Sequence, residues 1–427
     1  MIPSTRQSID IIGASVGGLT FGLTLLKYGI RPRFFEFRPA DYDFGGAVSL
    51  TPNGLRALDS LDAYSRIKAQ GYCFQEMTFL TVPELEMTAK FYFGHKDVYG
   101  YDGLRITRKV LIQELRDMVK EAGCEIHYEK KFIRVVKEDD DGVEYEFADG
   151  TRETCALLVG SDGIHSKVRS YIFPDLDPHY TGFVGLTYSF PRANVHLEEG
   201  FPLPASLRDK SGSNFIITPQ AEGGKEIFIG RQYKYEQKDH TKSGWEVLTA
   251  DKQAIVDILQ RDTDAWTPLV QTLQAQVVSP EAEFLNVWPF YTMKGMDRWH
   301  SPTGRVLVIG DAAHAIPPPA GQGANQALED SYSLGMLLAS LDDKVKLLDM
   351  LRTWETYRMK RMDDALLLTT RLMTLRMKEE ERENMPEEVR STTWKLDWTN
   401  AGKEQLDWLF SVDIDRDVED LIKTLNA

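Results

Sequence analysis

Apolar residues occur in short runs along the chain, and the first complete pattern lies between residues 8 and 36. Ile9, Ile11 and Ile12, interrupted only by Asp10, read as a buried strand. A glycine-rich turn follows, Gly13-Ala14-Ser15-Val16-Gly17-Gly18, and Leu19, Phe21, Leu23, Leu25 and Leu26 then fit a helix. Arg33-Phe34-Phe35-Glu36 supplies a second strand, so this segment predicts a βαβ unit. Beyond a flexible turn at Asp43-Phe44-Gly45-Gly46-Ala47 and Pro52, Leu55, Leu58 and Leu61 predict a helix. Short strand-like runs follow at Met77–Thr81 and Lys90–Phe93. Thr107 reads as the N-cap of a helix from Arg108 to about Ala122, with Leu111, Leu115, Met118 and Val119 on one face and Gly123 at its end. Three alternating strands come next, at Glu125–Tyr128, Phe132–Lys137 and Gly142–Phe147. Asp149-Gly150 marks a hairpin turn, and Cys155–Gly160 reads as a buried strand.

From about residue 178 to 290 strand-like runs dominate, at Phe183–Phe190, Asn214–Thr218 and Glu226–Tyr235, with one helix near Lys252–Arg261. This predicts a separate antiparallel sheet that walls a substrate cavity. Arg305-Val306-Leu307-Val308-Ile309 then returns to a buried strand followed by glycines and a helix, Gln326–Leu338, so the first domain is discontinuous. The last hundred residues are helical and charged, with breaks near Pro386 and Gly402 and a mixed charge run at Glu379–Glu383.

At 427 residues two domains are expected, and 42% hydrophobic content suits a globular protein. A net charge of −15 argues against nucleic acid or an anionic membrane as a major partner. Cys73, Cys124 and Cys155 have neither metal-ligand nor disulfide-framework spacing, which points to a reducing compartment. No leader pattern and no apolar run of membrane-spanning length is present, so a cytoplasmic protein is expected.

The turn at residues 13–18 supports two chemistries. Strand, glycine turn and helix place a pyrophosphate on helix N-terminal amides, with Gly13 and Gly18 in the first and third fingerprint positions and Ser15 in the second. The acidic residue expected about 20 positions on is Glu36, whose carboxylate can accept from ribose hydroxyls. The same residues also satisfy G-x-S-x-G, the nucleophile elbow of a serine hydrolase built on Ser15. Position favours the dinucleotide reading, because an elbow normally follows several strands and only one fits before residue 13.

Two further strand-to-helix motifs share this grammar. One is Gly160-Ser161-Asp162-Gly163, with the trailing Ser166 and Val168-Arg169. The other is Gly310-Asp311-Ala312-Ala313-His314, with Pro318, Gly321-Gln322-Gly323 and Ala324. Each puts an aspartate at the mouth of a strand, where open α/β sheets bind ligands. Asp311 can accept from a polyol, and the small residues Gly321, Gly323 and Ala324 let a flat ring reach backbone amides.

In order, the three motifs resemble the single-component, class A FAD-dependent monooxygenases with the aromatic-hydroxylase fold, over roughly residues 8 to 360. Within that family Phe44-Gly45-Gly46, Ile106-Thr107-Arg108 and Tyr180-Thr181-Gly182 look closest to the tetracycline-inactivating branch and to tailoring enzymes of secondary metabolism. The resemblance implies an α/β fold: a Rossmann-like FAD-binding domain (1–177 and 291–345), an inserted antiparallel substrate domain (178–290) and C-terminal helices (346–427). It implies FAD held by Gly13, Ser15, Gly18, Glu36, Arg38, Gly46, Ala47, Arg108, Asp162, Gly310, Asp311, Pro318, Gly321, Gly323 and Ala324. Asp162 is expected to support the FAD loop, to shape NADPH entry near Arg169, or both. The implied reaction consumes NADPH and O2 and passes through a flavin C4a-hydroperoxide to oxygenate an electron-rich small molecule. On the substrate side, Arg192 is the candidate catalytic cation, and Thr187, Phe215, Arg231, Tyr233 and Phe290 are candidate cavity residues. His314 is expected to be structural, and no histidine has metal-ligand spacing.

Overall fold

The computed structural model describes residues 8–43, 45–209, 213–236, 242–261, 263–293, 295–340, 345–374, 383–384 and 399–426. A five-stranded parallel sheet runs in the order Val306–Val308, Leu157–Gly160, Ile9–Ile12, Arg33–Phe35, Ile126–His127. Its strands are apolar because both faces are covered: Ile11 and Phe34 meet the helix Val16–Lys27, and on the other face Phe35 meets Tyr145 and Phe147 of the antiparallel sheet Phe132–Asp139, Gly142–Phe147, Arg152–Cys155. Asp10, the one polar break in the first strand, is fully buried and compensated. Arg33 donates to it at 2.6 and 2.8 Å, and the Tyr145 hydroxyl donates to it at 2.6 Å.

The helix Val16–Lys27 leaves the first strand and packs against the helix Gly323–Ser340, where the Ser331 hydroxyl donates to the Gly17 carbonyl. The helix Arg108–Glu121 lies where the periodicity places it. Thr107 occupies its N-cap position, yet the hydroxyl makes no capping bond.

The second large layer is a seven-stranded sheet in the order Glu283–Thr292, His179–Pro191, Glu226–Lys234, Asn214–Gln220, Ala205–Arg208, Glu76–Thr81, Met87–Tyr92. The last two strands come from the segment read as part of the parallel-sheet half. They join through a parallel pairing between Ala205–Arg208 and Glu76–Thr81, a long-range contact with no local signal. One face of this sheet packs on the helices Lys252–Leu259 and Pro268–Ala275 through Leu186, Tyr188, Ile227, Ile229 and Val270. A small antiparallel sheet, Ala47–Leu50, Gly103–Thr107 and Tyr72–Phe74, lies between the two large layers. The C-terminal break at Gly402 ends a 3-10 turn before the helix Lys403–Phe410, whereas Pro386 and the run 379–382 lie outside the described residues.

Candidate active site

The three motifs sit at the C-terminal ends of three adjacent parallel strands, so the strand order brings together segments about 150 residues apart. Gly13 has φ +103°, and a Cβ there would meet the Ser161 carbonyl oxygen at 2.4 Å. A Cβ at Gly18 would meet the Gly13 carbonyl oxygen at 2.1 Å. Both fingerprint glycines are therefore demanded by close backbone approach.

Ser15 takes the middle position as the N-cap of the helix Val16–Lys27. Its hydroxyl accepts from the Gly18 amide at 3.2 Å and lies 2.7 Å from the Ser161 hydroxyl. Among the described residues the partners of the Ser15 hydroxyl are the Gly18 amide and the Ser161 hydroxyl, with no imidazole beside them. His314 is committed elsewhere, with Nε2 2.5 Å from Asp330 Oδ2. A hydroxyl that caps a helix and pairs with another hydroxyl has no activating base, and the elbow reading does not hold.

Glu36 is 4% exposed, and its carboxylate accepts from the Ala14 and Arg38 amides at 2.9 and 3.0 Å. Arg38 stacks over Tyr42 with the guanidinium carbon 4.3 Å from the ring centre. Asp162 Oδ2 accepts from the Lys167 and Val168 amides, capping the helix Lys167–Ile172. Asp162 Oδ1 is buried without a partner among the described residues, and burial raises the carboxyl pKa. Arg169 is buried and donates to the Ala312 and Ile164 carbonyls at 3.0 and 2.6 Å. It clamps the second motif to the third.

Asp311 is exposed at the edge of the third strand. The concave surroundings raise its pKa by desolvation, against the pull of His314 and Arg108. Burial lowers the Arg108 pKa, with Asp311 opposing. Beyond Pro318 and Gly321 the helix Gly323–Ser340 begins, so the amides of Gly323 and Ala324 point outward from an 18-residue helix. Asn325, which the motif reading passed over, stitches this loop to the small sheet. Its side chain donates to the Ser49 and Gly321 carbonyls and accepts from the Thr51 amide.

These features fit FAD. The Gly13–Gly18 turn would hold a pyrophosphate, Glu36 at the end of the second strand would meet a ribose, Asp162 keeps one buried oxygen without a partner among the described residues, and the Gly323 helix would offer amides to an electron-rich ring edge.

The cavity next to these residues has a volume of about 740 Å³. Arg38, Tyr42, Thr107, Arg108 and Gly45 line it from one side, and Glu226, Glu283, Asn286 and Trp288 from the large sheet. The Gly46 carbonyl accepts from the Arg108 amide, which seats Ala47 and Arg108 at the same edge, while Phe44 lies outside the described residues. Trp288 Nε1 donates to Thr187 Oγ1 at 3.2 Å, and Arg108 lies over the indole at 5.6 Å.

Thr187 thus shares the sheet face of Trp288, which lines the cavity. Phe290 shares that face but is buried over Gly185, outside the cavity lining. Phe215, Arg231 and Tyr233 point the other way, which corrects their assignment. The Arg231 guanidinium donates to the Leu259 carbonyl at 2.6 Å, the Tyr233 hydroxyl to the Ile258 carbonyl at 3.0 Å, and Phe215 is fully buried against the helical layer. Period-2 alternation fixes which residues share a face; the sequence did not show which face meets the helices. Arg192 is exposed in the 3-10 turn Arg192–Asn194 and does not line the cavity, so its candidacy loses its geometric basis. Trp288, Asn286, Glu226 and Glu283 were missed; the alternation within Glu283–Thr292 was the available signal.

Among the described residues no cluster of metal-ligating side chains occurs, and no helix is long and apolar enough to cross a membrane.

The family model described as "FAD binding domain" matches residues 6–366. The chain is 27% identical over 336 residues to 6-hydroxynicotinate 3-monooxygenase of Bordetella bronchiseptica, covering 77% of this chain and 82% of that protein. It is 26% identical over 380 residues to salicylate hydroxylase of Pseudomonas putida, covering 83% and 82%. In fold it is similar to Klebsiella pneumoniae HpxO, crystallised with FAD and uric acid, with a TM-score of 0.71, 20% identity, and 99% and 98% coverage. With its three motifs converging on one cleft, the chain belongs to the FAD binding domain family and is an FAD-dependent monooxygenase of the class A, aromatic-hydroxylase type.

Proposed function

We propose that the protein uses NADPH and O2 to hydroxylate or epoxidise a planar, electron-rich small molecule, as a tailoring step of secondary metabolism. The observation that carries this reading is the continuity of the cleft. One cavity of about 740 Å³ is lined by cofactor-side residues, Arg38 and Arg108, and by sheet residues, Asn286 and Trp288. Its size suits one aromatic or polycyclic molecule beside a ring cofactor.

Bound FAD supplies the redox and oxygen chemistry. The chain supplies position and charge. Gly323 and Ala324 amides favour negative charge at one ring edge. Arg108 brings a desolvated cation to the cavity wall. Trp288, fixed by Thr187, offers a flat apolar surface that orients a planar substrate and excludes water. The names of the relatives, a hydroxynicotinate and a salicylate enzyme, support an aromatic substrate. The resemblance of residues 44–46, 106–108 and 180–182 to tailoring enzymes supports the secondary-metabolic setting.

The test is direct. Purified protein should be yellow and release FAD on denaturation. With substrate it should consume NADPH and O2 in equal amounts and place one oxygen atom from labelled O2 in the product. A colourless protein that takes up no FAD, or product oxygen derived from water, would sink the proposal.

A further inference from the structure

Arg105 is a buried cation without an anion among the described residues. It lies on the strand Gly103–Thr107, the central strand of the small sheet, paired with Ser49 on one side and Tyr72 on the other. Leu104 and Ile106 are fully buried in the main core, so Arg105 and Thr107 share the opposite face. Thr107 lines the cavity. From the large sheet Phe228 approaches Arg105, the guanidinium carbon lying 4.3 Å from the ring centre. Phe228 is two residues from Glu226, which also lines the cavity, and so stands on the same sheet face. Arg105 therefore occupies the layer between the two sheets from which the cavity opens.

Its polar partners are few. The residue is 9% exposed. Among the described residues the one acceptor is the Ser49 hydroxyl, 3.1 Å from Nη1, and Nε is buried without a partner. A guanidinium carries five N–H donors. Arg358, by contrast, faces the carboxylates of Glu329 and Asp330. Burial pulls the Arg105 pKa down to about 10, and no acid among the described residues opposes it. An uncompensated buried cation is costly, and an anionic ligand would offset that cost. Ser49 also connects the site to the cofactor loop, because its carbonyl accepts from Asn325 near the start of the helix Gly323–Ser340.

We propose that Arg105 recognises an anionic group on the substrate, an aromatic carboxylate that takes the free edge of the guanidinium while its ring lies along Phe228 toward the cavity. The planar fork of arginine suits a carboxylate held through two parallel hydrogen bonds. The inference rests on the reading of this cavity as the substrate site. It makes Arg105 a specificity-determining residue, while Arg108 stays at the cavity wall beside Trp288.

The experiment uses the FAD-loaded protein and matched pairs, salicylate against salicylamide and anthranilate against anthranilamide, titrated by their perturbation of the flavin spectrum. Wild type is expected to bind the carboxylate of a pair about tenfold or more tighter than the amide. Arg105→Gln should abolish that preference by weakening the carboxylate, with amide binding, FAD content and far-ultraviolet circular dichroism unchanged. Equal binding of acid and amide by wild type, a preference that survives Arg105→Gln, or no binding of any member would overturn the proposal. Should Arg105→Gln fail to load FAD, Arg105→Lys is read instead. A carboxylate affinity lowered about threefold or more, with the fork lost, supports the site, and an unchanged affinity overturns it. NADPH consumption and oxygenated product are followed separately in wild type. Selective carboxylate binding without turnover counts against the monooxygenase substrate reading alone; turnover confined to the neutral amides counts against Arg105 alone.

Discussion

Asp311 is exposed at the strand mouth, although its surroundings raise its pKa by desolvation. A carboxylate so placed gains by accepting from a bound polyol. Asp311→Ala should weaken FAD binding by about 1.5–3 kcal/mol, the value of a charge-assisted hydrogen bond. Flavin occupancy after gel filtration, compared at equal circular dichroism, checks this; unchanged affinity would remove the contact. Arg231 gives the opposite expectation. It holds the Leu259 carbonyl in the helical layer, so Arg231→Ala should cost about 1–3 kcal/mol of stability while substrate-induced flavin spectra stay as in wild type. Altered ligand binding at unchanged stability would return Arg231 to the cavity. Ser15 follows the same logic. Its hydroxyl caps a helix, so Ser15→Ala should cost about 0.5–2 kcal/mol, and a fluorophosphonate should label neither protein.

The helix Gly323–Ser340 and the helix Leu347–Thr374 are joined by a buried charge network. Arg358 meets Glu329 and, at 2.8 Å, Asp330; Arg361 meets Glu329 at 2.7 Å. Asp330 also accepts from the Gly310 amide and pairs with His314, so the network reaches the third motif. Despite their burial, these arginines, together with His314 for Asp330, hold the Glu329 and Asp330 pKa values down at about 2. A depressed carboxylate pKa stabilises the fold above the unfolded value, near pH 4, and that stabilisation is lost as pH falls toward 2. Wild type should therefore lose stability steeply across that window. Arg358→Met leaves Glu329 with Arg361 alone and Asp330 with His314 alone as charged partners, and should cost about 3–5 kcal/mol at pH 7. In the variant the carboxylates protonate more readily, so the deficit should shrink between pH 7 and pH 4. Urea midpoints of both proteins at the two pH values decide; a pH-independent deficit would show that the network acts through packing alone.

Across the whole molecule, the cofactor site is assembled from segments that meet only on folding, so FAD and stability are linked. Free FAD at about a hundred times its Kd should add about 2.7 kcal/mol of stability through the native state alone. Thermal unfolding of apoprotein with graded FAD measures this, and a midpoint that does not move with FAD would contradict binding to the folded form. Much of this architecture was legible in the residues. The βαβ unit, the helix after Thr107, the return to a parallel strand at Val306 and the three phosphate-and-polyol motifs all carry local signals: apolar period, glycine placement, and an aspartate at a strand mouth. Glu36 and Asp311 were legible for the same reason.

What the sequence could not determine was decided by contacts between distant segments. The order of the parallel strands put Ser161 against Gly13 and Ser15. The pairing of Ala205–Arg208 with Glu76–Thr81 carried two early strands into the large sheet. The choice of which sheet face meets the helices sent Phe215, Arg231 and Tyr233 into the core and Thr187, Asn286 and Trp288 to the face that borders the cavity. Alternation along a strand says which side chains share a face. Only the layer packed against that face says whether they line a core or a site, and burial of the larger apolar face against the helices settles it here.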